Sequence, residues 1–395
     1  MSTSMTPPKS RLLARLDASI ASARDPVQAA CFAAERAALL ARLGRFDEAQ
    51  SGLAALRAKP ASAHSAALAV WLCLADGMLE HFRNQSSAAR DRIHRAYALA
   101  AAARVRPLIA LSAAWLAHTD YVYDDLPGLA RHVAEALQES EPDHHAARAR
   151  ASLVAAQGYH WGGRADLAQP WYQRAHEHAT AEGDDTTLGA LLKNRAWISG
   201  NQARMASIFG PPGVPADTAA LRQAQLAAES SEHFDAHIGH TSLRSLGPVM
   251  RAQLLVAQGA WADALAALQS HQAQSSRDGS DYTLPVLQAD IAWCQFQLGR
   301  LDEALASARD AEAAFVPDCE EEDRAAAHGR LRQVFEALGQ PAEAQAHGEQ
   351  AQADLASLRQ EQARMVSLLD AALKHVQHVH HAPHAPHVPH VPARG

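Results

Sequence analysis

The sequence predicts an all-α fold, a solenoid of about eight stacked helical hairpins. Three observations lead there. Helix–glycine–helix strings recur: LGRFDEA at 43–49, QGAWADA at 258–264, LGRLDEA at 298–304, LGQPAEA at 338–344 and, more loosely, GGRADLA at 162–168. The closing alanines at 264, 304 and 344 keep a step of 40. The 395-residue chain is 48% hydrophobic but only 5% aromatic, and much of the remainder is alanine, the strongest helix former.

Each string has one physical reading. The glycine ends a helix by adopting the left-handed conformation at its C′ position. Asp47, Asp166 and Asp302 follow three residues later, where a carboxylate can cap or begin the next helix and suits its positive end. The closing alanine lets the second helix approach the first.

In chain order, residues 1–24 form a leader and first helix. They are polar and interrupted by charge, without the apolar run of a signal peptide. Residues 25–355 form the repeat array. Steps of 40 from Ala49 reach Ala89 and Leu129, and Ala168 follows. Gly200 suggests a further turn, closed by Met205, and GPPGVPAD at 210–217 reads as part of an insertion before the hairpin closed by Ala264. Residues 356–376 form a capping or coiled-coil helix: Leu355, Leu358, Gln362, Met365, Leu369, Ala372 and Val376 follow 3–4 spacing. Residues 377–395 form a disordered tail rich in His and Pro. Histidines recur there every third residue, which polyproline II would align on one face about 9 Å apart. Weak metal binding by His378, His380, His381 and His384 is expected of this tail alone.

The glycine-x-x-Asp-Glu-Ala turn resembles the tetratricopeptide repeat (TPR) over most of the chain. The matches extend to Ala168, Tyr172 and Ala175, and to Ala304, Ala308 and Ala311. The period is longer than the family's usual value of about 34, and the tryptophan and Leu-Gly early in the family's first helix are mostly missing. The chain thus resembles longer-helix variants of bacterial sensor and regulatory proteins. The resemblance implies a right-handed superhelix whose first helices line a concave groove. Carried over residue by residue, it places Trp71, Met78, His81, His118, Tyr121, Arg150, Gln157, His160, Asn194, Trp197, Trp293 and Phe296 on that groove, with Trp161 beside them. His118, Tyr121, Arg150, Gln157, His160, Trp161, Asn194 and Trp197 form its central peptide- or partner-binding stretch, since aromatics and Arg are common interface anchors. The family's carboxylate clamp would also want a lysine at position 190, which is Ala190.

The expected function is therefore a non-catalytic scaffold or sensor that holds a peptide or partner protein in the groove. The alternatives are a module sensing a small ligand there and a metal-binding protein using its tail. The net charge of −7 and pI near 6.4 argue against nucleic acid as a partner. No segment reaches the roughly 18 uncharged apolar residues of a membrane span. Cys31, Cys73, Cys294 and Cys319 are scattered and read as buried thiols in a reducing cytoplasm. No GxSxG, P-loop or GxGxxG string occurs, so no enzyme activity or cofactor is expected. His233, His237 and His240, with Glu229 one turn earlier, could share a helix face as metal ligands, unless Gly239 ends the helix first. The chain is expected to be a monomer or weak homodimer.

Overall fold

The computed structural model describes residues 10–58, 65–84, 86–210, 218–241, 246–278, 284–316, 319–374 and 376. The described residues are 86% helical, with no strand among them. After α1 (Arg11–Ser22), helices pack in consecutive pairs. The first four pairs are α2 (Pro26–Arg42) with α3 (Phe46–Arg57), α4 (Ala66–Asn84) with α5 (Ala88–Ala102), α6 (Arg106–Val122) with α7 (Leu126–Glu139), and α8 (His145–Trp161) with α9 (Ala165–Glu182). There follow α10 (Asp185–Phe209) with α11 (Thr218–Ile238), α12 (Leu246–Gln258) with α13 (Trp261–Asp278), α14 (Leu284–Gln297) with α15 (Leu301–Ala313), and α16 (Glu321–Ala337) with α17 (Pro341–Leu373). The first helix of each pair also packs on the first helix of the next.

The repeated glycines sit in the turns within pairs. Gly44, Gly163, Gly259, Gly299 and Gly339 have φ between +72° and +81°, a region open to glycine at no steric cost. Asp124 takes the same role between α6 and α7 at φ +54°; aspartate is among the few residues that tolerate it. The closing residues Ala49, Ala89, Leu129, Ala168, Ala264 and Ala304 are buried, as close helix approach requires. Asp47, Asp166 and Asp302 stand in the first turns of α3, α9 and α15. They do not cap: the N-cap positions are Arg45, Arg164 and Arg300, so the aspartates act through the helix dipole.

Gly200 does not make the expected turn. α10 continues through it for 25 residues. A Cβ at Gly200 would lie 3.2 Å from Met250 Cγ, so this glycine admits α12 rather than breaking the helix. Residues 211–217, within the expected insertion, lie outside the described residues.

The array closes on itself twice. In the first closure α1 lies across the end of α9 and the start of α10. Leu12 N–H donates to the Gly183 carbonyl at 3.1 Å, Arg11 pairs with Asp185, and Leu12 and Leu16 are buried. Arg42 of α2 reaches Asp184 across 142 residues of sequence. In the second, Arg204 near the end of α10 pairs with Asp323 of α16 at 2.7 Å, and Arg330 of α16 pairs with Asp290 of α14 at 2.9 Å while donating to Ser207 of α10.

α17 joins the two turns. Its first half pairs with α16; its second half crosses to α7 and α8. Met365, Leu369, Leu373 and Val376 belong to the core of the first turn. Thus the expected helix at 356–376 is the distal part of one 33-residue helix, and its apolar stripe faces the chain's own body. The close approach is made at Gly158 of α8 and at Gly162, its C-cap, where a Cβ would lie 2.8 Å from Leu369 Cδ1 and 2.5 Å from Val366 Cγ2.

Candidate functional site

Where α2, α4, α6 and α8 converge beneath α1, the first turn holds a small, partly open cavity of about 40 Å³. Its apolar wall includes Leu12, Leu39, Trp71, Met78, Leu111 and Trp115, and its polar wall is Glu35, Arg42, Arg150, Asp184 and Thr187. A helix interior this rich in alanine and leucine has no packing need for five polar groups, so their bonding decides what they do.

Asp184 is the N-cap of α10: its carboxylate accepts from Thr187 N–H at 3.0 Å, and from the hydroxyls of Thr186 and Thr187 at 2.6 and 2.7 Å. Arg42 Nη2 donates to both of its oxygens and to Thr187 Oγ1. Burial works to raise the Asp184 pKa, but Arg42, the two hydroxyls and Arg150 outweigh it and hold the group at about 2. Asp184 is therefore ionised and fully engaged.

Arg150 is different. It is 4% exposed, stacks on Trp115 at 4.2 Å, and makes one long bond from Nη2 to Thr187 Oγ1 at 3.3 Å. Its buried Nε has no acceptor. Burial first, then the charge on Arg42, push its pKa down to about 9, which leaves it a cation at neutral pH. Glu35, partly exposed at the cavity wall, is pushed up to about 7 by burial, then by Glu182, with Asp184 adding and Arg15 and Arg42 opposing. Behind Trp115, His81 and His118 face each other with Nε2 atoms 3.2 Å apart. Burial lowers both pKa values, that of His81 to about 4, so the pair is neutral.

No family model matches the chain, and no curated protein matches its sequence. The site is therefore read from its own geometry.

The structure divides the sequence-predicted groove. Arg150 lines the cavity together with Trp71 and Met78. His118 lies against Trp115. Arg150, Gln157 and His160 are buried at 4%, 5% and 8% exposure, so they are not the open contact surface that an extended concave groove requires. The first helices of successive pairs pack on one another here, which withdraws these side chains from solvent.

Tyr121, His160 and Trp161 gather where α16 begins. His160 Nδ1 lies 3.1 Å from the Tyr172 hydroxyl, and Trp161 hydrogen-bonds Glu322. Glu320 is pushed up to about 7 by burial, then by Asp323 and Asp124, and burial, then Glu322, raises the Tyr121 phenol. Trp161 and Tyr121 are partly buried here, and His160 is buried. Asn194 and Trp197 lie on α10, partly buried, with Trp197 packed against the cluster containing Ala196, Met250 and Leu254. Trp293 and Phe296 of the groove set stack on each other at 5.8 Å in α14.

α11 ends at Ile238, with Gly239 at φ +70°, and His240 turns back to Asp235 at 3.0 Å. His233, His237 and His240 therefore do not share a helix face. No group of three potential metal ligands occurs among the described residues. The tail histidines His378, His380, His381 and His384 lie outside those residues. Glu35, Arg42, Trp115, Asp184 and Thr187 stand outside the groove set that the sequence predicts. The DDTT at 184–187 was visible as a helix start, but nothing local ties it to Arg42.

Proposed function

We propose that the chain is a non-catalytic, TPR-like sensor module that holds a small ligand inside its first turn. In this reading it is a right-handed solenoid wound tightly enough to close. It works in the cytoplasm, as a monomer or weak homodimer, and passes its state to a partner protein. The observation that carries the proposal is the cavity itself: a buried guanidinium with an unused donor stands in its wall. Unsatisfied buried polar groups are costly, and they mark binding sites when they converge on a cavity. The burial of Arg150, Gln157 and His160 favours this reading over a peptide in an open groove, because side chains so covered offer a peptide little to contact.

The test is thermal melting against a mixed set of small anions, cations and neutral metabolites. Ala146 lines the cavity and is partly exposed, so Ala146→Phe can fill the space while the fold survives. At least one class should raise Tm in the native chain and not in Ala146→Phe. If no class does so, or if the effect persists in Ala146→Phe, the cavity is not a ligand site.

A further inference from the structure

From the charges and donors around this cavity, we infer that its ligand is a small monocarboxylate, received by the Nε–Nη2 edge of Arg150. The inference rests on the sensor reading above and names the ligand class.

Charge comes first. Arg42 and Arg150 bring two positive charges to the cavity. Asp184 removes one and is already saturated by Arg42, Thr186 and Thr187. Glu35 holds its proton up to about pH 7 under burial and the charges of Glu182 and Asp184, opposed by Arg15 and Arg42. One positive charge thus remains unbalanced in a desolvated space, where an isolated ion is expensive. A monoanion balances it. A dianion over-balances it and meets the ionised Asp184 as well.

Shape comes second. A guanidinium offers its Nε–H and one Nη–H side by side, matching the two oxygens of a carboxylate. On Arg150 the Nε has no acceptor, and Nη2 has only the 3.3 Å contact to Thr187. The Trp115 face behind it fixes the plane of the fork. The fork is thus fixed in place, with one donor unpaired and the other only weakly engaged.

Size comes third. On the measure by which one water needs roughly 10–15 Å³, the cavity of about 40 Å³ takes a carboxyl group and one or two carbons. Met78, Leu111 and Trp115 suit a short aliphatic substituent. The resulting ligand resembles acetate or propionate in size.

The experiment uses the full chain and four probes: propionate, propionamide, inorganic phosphate and succinate, each followed by thermal melting and calorimetric titration at pH 6. Propionate should bind and raise Tm, while propionamide, which has the same shape without charge, should not. Arg150→Met should weaken propionate at least tenfold, yet melt no lower than the native chain when no ligand is present, because it removes an unpaired buried ion. Arg150→Lys keeps the charge without the fork and should also lose at least tenfold; it serves as the second variant should the first fail to fold. Equal stabilisation by phosphate or succinate would overturn the monocarboxylate assignment. Equal binding of propionamide, or propionate binding unchanged in both Arg150 variants, would overturn the role of the guanidinium. In the broader screen, a neutral ligand lost in Ala146→Phe would sink this inference and leave the sensor reading standing. No ligand of any class would sink both.

Discussion

Glu35 is the residue whose chemistry is easiest to read out. Its carboxyl sits at about 7 in the folded chain because burial, Glu182 and Asp184 disfavour the charge more than Arg15 and Arg42 favour it. Between the ordinary glutamate value and pH 7, the unfolded chain has lost a proton that the folded chain keeps. Stability therefore falls as pH rises through that window and is flat above it. Glu35→Gln should be neutral near pH 4 and should stabilise the protein by about 1–2 kcal/mol at pH 8, allowing for partial solvent screening; urea denaturation at the two values checks this. An equal effect at both would mean that the residue acts through packing. Arg150 shows what a sequence reveals at this scale. The family resemblance implies for it, with Trp71 and Met78, a place on an open concave groove, whereas the structure puts all three in the wall of the cavity. Arg42 and Asp184 escaped notice because their contact spans 142 residues, and no periodic pattern encodes such a pair.

Helices were legible wherever the signal was local. The turns at Gly44, Gly163, Gly259, Gly299 and Gly339 follow from a glycine and a helix start a few residues apart. Gly200 is the same residue used for another purpose, to let α12 approach, and the sequence alone does not separate the two uses. α17 is a similar case. Its apolar spacing was visible, but the face it covers belongs to α7 and α8, which lie some 200 residues earlier, as in the Tyr159–Asp370 hydrogen bond with its separation of 211. The docking depends on Gly162, where an added Cβ would meet Val366 at 2.5 Å and the Gln362 carbonyl at 3.2 Å. Gly162→Val should lift the distal half of α17 without unfolding the array. Hydrogen exchange should then show lost protection at 360–373 and retained protection at 341–355. Uniform behaviour along the helix would mean that it docks as one piece.

At the scale of the whole molecule, closure replaces the nearest-neighbour logic of an open repeat array. The Arg42–Asp184 pair, at 10% and 6% side-chain exposure, joins the second helix to the tenth. Removing one partner of such a buried pair strands the other, at a cost of about 3–5 kcal/mol. Arg42→Met and Asp184→Asn should each lose stability in that range, and the double variant should lose clearly less than their sum, as measured by a double-mutant cycle in urea. Additive losses would mean that the pair does not hold the turn shut.

α10 is a member of both closed turns. Its first residues carry Thr187 and abut Asp184 at the cavity; its last turns carry Asn201 and Arg204, which grip Glu322 and Asp323 at 3.3 and 2.7 Å. A helix of 25 residues is a stiff shaft roughly 37 Å long, clamped near each end. Such a shaft cannot twist at one clamp and stay still at the other. The two turns share this one helix, so a rotation of α10 that reseats Thr187 would act on the Arg204–Asp323 pair as well.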